Sequence, residues 1–517
     1  RDTLPEIVES VDSPFRVVSD IIIPENQFTT IEPGCVFNFN KYEEHTEVTD
    51  LLQLIPQDAR FGLFVDGGIN AAGTEGEPIV FRYEGNNPGL LDYNKFVWQG
   101  VIINAGEDSI VFSHCVFQDG YYNLKINNRN RIRITNCDLR PCSKYRLYVL
   151  DSQDIVFSEN KIRDFAYRSI GKIYFWHCQD LTIERNVTGR NIGGFLLSSC
   201  RNIQINGNNK TTGIELNFGC ENVLISNNRL SIVQIINGGR NITVENNTIN
   251  RGEGRAYSGF SLRGNNQVDE IVVRNNIITN HLSRGILLPD EDVNLLFENN
   301  NVWGHPEEDY PAENIFDIGM FVDVNANGDS IDVYGNFSAD PRFIGFGPYK
   351  YNIQPDSPCI DVGNPDFPED SDGSISDVGW YSFNHDNILP ELIRFHPQQT
   401  EINLSGDSTL VFTIDVHDPD DDSLTYLWTL DHIWQDQSGM EYSKKQLISD
   451  DDNIEHHFDF DGQYQLTCEY SEGNGYGSVT WDIGYVLSAG DENDQFPDEF
   501  TLQNAYPNPF NSSTTIY

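Results

Sequence analysis

Long hydrophobic runs are missing from this chain of 517 residues. No stretch approaches the roughly 20 apolar residues that a helix needs to span a bilayer, so no transmembrane helix is expected. Basic residues are also scarce: 33 Lys and Arg stand against 79 Asp and Glu, for a net charge of −46. Such a chain repels phosphate backbones and anionic membrane surfaces, which argues against nucleic acid as a partner. It suits salty water or divalent cations, because screening weakens the self-repulsion. No Cys-x-x-Cys pair occurs, so a zinc site has no support. The nine cysteines are odd in number, so at least one is unpaired within the chain. Hydrophobic residues make up 38% and aromatic residues 12%, enough for a real core and for more than one domain.

What is present is a repeat. The phrase apolar-x-apolar-x-x-Asn reads NVLISNNRL from Asn222, NITVENNTI from Asn241, EIVVRNNII from Glu270 and NLLFENNNV from Asn294, with weaker copies from Asp154 and Asp180. Its apolar starts are Ile110, Ile132, Ile155, Leu181, Ile203, Val223, Ile242, Ile271, Leu295 and Ile331, separated by 22, 23, 26, 22, 20, 19, 29, 24 and 36 residues. A period near 22 suits one coil of a β-solenoid, with length variation confined to loops. Alternating apolar residues then face inward, because successive side chains of a strand point to opposite sides.

Five residues after each start stand Cys115, Cys137, Asn160, Asn186, Asn208, Asn228, Asn247, Asn276, Asn300 and Asn336. Stacked coils about 4.8 Å apart would let each amide bond the next, forming an asparagine ladder at an inward turn. Asparagine also tolerates the left-handed backbone of a tight turn. Cys178, Cys200 and Cys220 share a second register, three residues before their starts. They are expected to stack as buried thiols, although neighbouring Cα atoms fall within disulfide range.

The expected class is all-β: a right-handed parallel β-helix of about ten or more coils, followed by an immunoglobulin-like β-sandwich. Residues 1–60 read as an N-terminal cap and first coil, carrying VVSDIIIPENQFTTIEPGCVFNFN, and 61–387 as the solenoid with its closing segment. That closing segment reads ADPRFIGF, YNIQPDSPCIDVGNP and DSDGSISDVGWYSF. From Val17 to Phe383 the chain resembles β-helix repeat proteins of the pectate-lyase-like superfamily.

Residues 388–487 carry alternating strands such as LVFTIDVHD and LTYLWTL, and resemble immunoglobulin-like and PKD-like modules with a core around Trp428 and Tyr464. Residues 488–499 form an acidic linker. Residues 500–517, FTLQNAYPNPFNSSTTIY, resemble the start of the C-terminal sorting domain of the type IX secretion system, departing by Ala505 before Tyr506 and by stopping early. That resemblance implies type IX secretion machinery as a partner, and a location outside the cell or on the outer-membrane surface of a Bacteroidota-like bacterium. On that reading a signal peptide has been removed, since the sequence opens at Arg1 without a charged-then-apolar leader. Asp-Ser/Thr-apolar triplets at Asp2, Asp108, Asp329 and Asp422 resemble the glycosylation signal of such bacteria.

The strand before each Asn phrase is the face expected to carry function. Its outward candidates are Arg146, Tyr148, Asp151, Lys172, Tyr174, Trp176, His177, Glu215, Asn217, Gln234 and Arg263. A lyase needs a base and a cation to neutralise a uronate carboxyl, roles that Lys172 or Arg263 could fill. An inverting hydrolase needs carboxylates roughly 6.5–9.5 Å apart, which Asp151 and Glu215 could supply. Tyr174, Trp176 and His177 are expected to bind ligand, the aromatic rings as a stacking platform for sugars. The alternative is a solvated face with an aromatic patch, because neither the Gly-His-Gly and paired-Asp signature of polygalacturonases nor a pectate lyase motif is present. Calcium could be held by Asp370, Asp372 and Asp377, or by Asp418, Asp420, Asp421 and Asp422. The expected partners are therefore polysaccharides or cell-surface components, and the expected function is a glycan-binding or structural/adhesive surface component, with a polysaccharide lyase or glycoside hydrolase acting along the solenoid face as the alternative.

Overall fold

The computed structural model describes residues 2–486 apart from 40–60, 84–97, 164–171, 190–193, 210–212, 252–257, 264–267, 290–292, 311–316, 406–407, 436–440 and 459–461. The acidic linker and the sorting-domain phrase lie outside the described residues. The chain divides into two compact units, one of Arg1–Phe343 with Tyr351–Asp386, the other of Ile344–Lys350 with Asn387–Tyr517.

The first unit is a parallel β-helix. Successive coils lay their strands on three faces, and each strand pairs with its counterpart in the next coil. The first sheet has 12 parallel strands from Asp2–Thr3 to Arg284–Leu287, and the second has 12 from Ile7–Val8 to Leu295–Glu298. The third face is a seven-stranded sheet followed by a four-stranded one. Loops of different length leave the register intact: Ile110, Ile132, Ile155, Leu181, Ile203, Val223, Ile242, Ile271 and Leu295 align one above another in the second sheet. Ile331 departs from the row, since its strand pairs antiparallel with Asp323–Val324.

Strict alternation builds the core. In Lys172–Trp176, Ile173 and Phe175 are buried while Lys172, Tyr174 and Trp176 face outward. Each fully buried Ile, Leu, Val or Phe contributes on the order of 1.5–3 kcal/mol, and the core repeats that gain in every coil.

At the turn between the second and third faces, Nδ2 of Asn160, Asn186, Asn208, Asn228, Asn247, Asn276 and Asn300 each donates to Oδ1 of the next asparagine at 2.9–3.1 Å. The last, Asn336, donates to the buried carboxylate of Asp332, which closes the column. The left-handed residue of this turn is not the ladder asparagine but the one before it: Asn227, Asn246, Asn275 and Asn299 have φ of 49–53°. In an Asn-Asn pair the first therefore supplies the bend and the second the buried amide. Gly207 and Gly335 (φ 65° and 79°) occupy the same bending position where no Asn stands.

All nine cysteines are free and buried. Cys178 N–H donates to Cys200 Sγ at 3.4 Å, so the second register is a column of thiols. The hydrogen bond with Cys178, then burial, pushes the Cys200 thiol up, and burial pushes Cys220 up to about 12. Such thiols stay protonated and inert. We therefore expect no reaction of the native protein with a thiol-specific chromogenic reagent over minutes, and nine equivalents after denaturation; reaction of any thiol in the folded state would contradict the burial.

The second unit has a three-stranded antiparallel sheet (391–396, 408–417, 453–458) and a five-stranded one in which 401–405 pairs parallel with 476–486 and the rest run antiparallel. Both contribute to one core, in which Trp428 and Trp481 stack at 5.7 Å and Tyr464 is buried. The indole N–H groups of both tryptophans donate to backbone carbonyls, of Asp451 and Pro397.

Candidate functional site

Strand pairing in the first sheet collects outward residues from separate coils. Tyr122 lies beside Tyr145, and Tyr145 beside Lys172; Lys125, Tyr148, Tyr174, Leu196, Glu215 and Gln234 form a second row. The coil spacing of about 4.8 Å is too small for aromatic rings to lie flat side by side, so they stack. Tyr145 and Tyr148 stand 4.7 Å apart, Tyr148 and Tyr174 5.4 Å, and Tyr122 and Tyr145 6.2 Å, with planes within 23°. Trp176 continues the row at 6.4 Å from Tyr174 and touches His177 at 5.1 Å. It is 41% exposed, the most open ring of the row.

This packing modifies the expected platform. Tyr174 is partly covered by Tyr148 and Trp176, and its hydroxyl donates to Ser198 Oγ at 3.2 Å. Trp176 is the ring with surface left for a sugar, and the tyrosines mainly present edges and hydroxyls.

Lysines gather on the same row. Lys144 Nζ lies 5.6–5.9 Å from the ring centres of Tyr121, Tyr122 and Tyr145, and Lys125 Nζ 5.6 Å from that of Tyr122. Burial acts to lower the Lys144 ammonium, but Tyr122 and Tyr121 outweigh it and hold it above the usual lysine range. Burial raises Tyr122, and burial with the neighbouring phenols raises Tyr148. At neutral pH the row thus offers cations and neutral hydroxyls, not a phenolate base. Lys144, Lys125, Tyr122 and Tyr145 escaped the sequence reading. Tyr122 lies 23 residues before Tyr145, one repeat period, and that spacing was the signal available.

The expected catalytic residues do not converge. Asp151 follows the strand Tyr145–Leu150, whereas Glu215 lies three strands further on in the sheet, about 14 Å by coil spacing and beyond the roughly 6.5–9.5 Å of an inverting pair. Lys172 and Arg263 are four strands apart. Asp151 instead meets His177, Oδ1 to Nδ1 at 3.3 Å, both side chains more than half exposed. Glu215 accepts from Asn217 Nδ2 at 2.9 Å. Arg146 is not outward: it is 1% exposed and donates to the Arg163 carbonyl at 2.7 Å.

The carboxylates of the acidic loops accept hydrogen bonds from the backbone. Asp377 accepts from the N–H groups of Asp361 and Phe383, Asp370 from that of Asp377, and Asp372 from those of Ser374 and His385. Asp418 likewise accepts from the N–H groups of Asp420 and Asp422. Among the described residues no group of three His, Cys, Asp or Glu side chains is placed to hold a metal ion. Each of Asp370, Asp372 and Asp377 thus gives at least one carboxylate oxygen to the backbone. Among the described residues no helix is long and apolar enough to cross a membrane.

Residues 99–249 match the family model described as the right handed beta helix region. The solenoid is a right-handed β-helix. Similar solved structures include PfbA, a surface adhesin of Streptococcus pneumoniae, at 13% identity over 63% of this chain and 90% of that one, with a TM-score of 0.31. Another is the periplasmic alginate epimerase AlgG, at 12% identity over 55% and 75%, with a TM-score of 0.26. No curated protein matches the chain. The right-handed β-helix supports unrelated activities, so its function must be argued from the outward face.

Proposed function

We propose that this protein is a glycan-binding component of the cell surface, which holds an extended polysaccharide along the first sheet. The carrying observation is the row of stacked aromatics beside lysines: three of the ten lysines in a chain of net charge −46 lie on it, Lys125, Lys144 and Lys172. Trp176 supplies an open ring for a sugar face, the tyrosine hydroxyls supply hydrogen bonds, and the ammonium groups favour chains that carry carboxylates. The wide separation of Asp151 from Glu215, and of Lys172 from Arg263, supports retention over cleavage. The NAYPNPFN run supports export by the type IX route, and the second unit, read as an immunoglobulin-like module, would space or present the solenoid.

The test is affinity electrophoresis against acidic polysaccharides, with the absorbance of unsaturated products followed in parallel. Retention without turnover, weakened by salt, is the expected result. Trp176→Ala should weaken it about tenfold, roughly 1.5 kcal/mol, while leaving thermal unfolding unchanged because the ring is exposed. Release of unsaturated sugars, or full retention by Trp176→Ala, would overturn the reading.

A further inference from the structure

The second sheet carries a groove that the aromatic row does not reach. It is an open groove of about 630 Å³ that runs from Asp154 to Thr243. Five coils line it, a length of about 19 Å at the coil spacing. Its concavity has a backbone cause. Near the start of each strand one residue takes a left-handed φ of 51–56°, at Asp154, Asp180, Asn202, Asn222 and Asn241, and this bends the strand.

Those bending residues form a second, exposed ladder. Asn202 Nδ2 donates to Asp180 Oδ1 at 2.8 Å, Asn222 to Asn202 at 3.0 Å and Asn241 to Asn222 at 2.9 Å. Each of these bonds uses one of the two Nδ2 hydrogens and one of the two Oδ1 lone pairs. The wall therefore offers an N–H and a lone pair at the three asparagine coils, Asn202, Asn222 and Asn241, and carboxylates at Asp154 and Asp180. The floor is the row Thr182, Gln204, Leu224 and Thr243, polar except at Leu224.

We infer that this groove binds a second polymer, a linear neutral polysaccharide. Hydroxyl groups both donate and accept, which is what a row of half-used amides requires. Charge argues the same way. Arg133 is paired with Asp154 at 2.7 Å, and Asp180 places a carboxylate on the wall, so the groove offers an anionic chain repulsion and no unpaired cation among its lining residues. The site is independent of the aromatic row and opens from a different sheet, so one protein would hold two kinds of chain.

The experiment is affinity electrophoresis of the full chain in gels cast with a neutral polymer, hydroxyethylcellulose or galactomannan. Asn222→Gly combined with Asn241→Gly removes two amides and keeps the left-handed backbone, so the fold should survive. Retardation of the wild type and of Trp176→Ala, with at least a fivefold loss in the double glycine variant and unchanged thermal unfolding, is expected. Gln204→Trp, which fills the groove without touching the ladder, should give the same loss. Failure of every neutral polymer to retard the wild type would overturn the inference, as would retardation that Trp176→Ala abolishes and the groove variants leave intact. Neither result would bear on retention of acidic chains by the first sheet.

Discussion

Asn228→Ala is expected to lower the unfolding free energy of the solenoid by about 4 kcal/mol. The wild-type Oδ1 accepts two hydrogen bonds from Asn208, one from its backbone N–H and one from Nδ2, both at 2.9 Å. Its Nδ2 donates to the carbonyls of Ile205 and Ser226 and to Asn247 Oδ1, at 2.7–2.9 Å. Alanine would strand the buried backbone N–H of Asn208 and the Ile205 carbonyl where no water reaches, each with a desolvation penalty of about 1–3 kcal/mol, and would leave Asn208 Nδ2 only the carbonyls of Ile183 and Asn206. The control is the preceding residue. Asn227 is exposed with φ of 53°, so Asn227→Ala meets the left-handed strain of about 1–2 kcal/mol and loses one exposed hydrogen bond, from Nδ2 to Asn206 Oδ1 at 3.2 Å. Urea denaturation of both variants, followed by circular dichroism, checks the difference. Equal losses would mean that the ladder amide contributes no more than a bend.

Acidification should weaken the upper coils through His281. Its ring is buried, Nε2 lies 2.8 Å from the Ser231 carbonyl and Nδ1 3.2 Å from Nε2 of His305. His305 in turn meets Asp309 at 2.8 Å, and Ser338 donates to the other oxygen of that carboxylate. Burial pushes His281 down to about 3, against an ordinary value near 6.5. Burial also acts to raise Asp309, but its hydrogen bonds from His305 and Ser338 outweigh that and hold it below its usual range. The sign for His281 is fixed by proton uptake. Below about pH 6.5 the unfolded chain binds a proton that the folded chain refuses until pH 3, so stability falls as pH falls through that window. The loss reaches about 3 kcal/mol at pH 4.

Asp377 works in the opposite direction. Burial raises its carboxyl to about 7, so the folded state gains stability from it as pH falls from 7 towards 4. Comparison of the wild type with His281→Gln isolates the histidine, since both proteins keep Asp377. The stability difference between them should shift by about 3 kcal/mol in favour of the variant between pH 7 and pH 4. A constant difference would show that His281 is not held neutral by burial.

The fold was legible because core positions answer to a repeated constraint. Each coil must bury the same stripe, so Ile203, Val223 and Ile242 recur in phase whatever the loops between them do. Asn208 and Asn228 recur because each supplies the partner of the other. Outward residues obey no such rule. Tyr174 and Trp176 were legible as outward from alternation, but their partners were not, and the lysines over the tyrosine rings went unnoticed. The partners of the acidic loop were hidden for a related reason. Closely spaced carboxylates suit a cation or a set of backbone N–H groups equally well, and only the path of the chain brings the N–H groups of Asp361 and Phe383 to Asp377.

From the sequence alone came the coil period, the inward stripe and the buried amide column, because all three are periodic demands that every coil meets by itself or with its immediate neighbour. The tertiary structure alone decided which outward side chains become neighbours: it set Lys144 over Tyr122 and Tyr145, held Asp151 three strands from Glu215, and joined Asn202, Asn222 and Asn241 into the wall of a groove. Loop length hides those distances in the sequence. Strand pairing restores them, because it places residues 19–29 positions apart one coil spacing from each other.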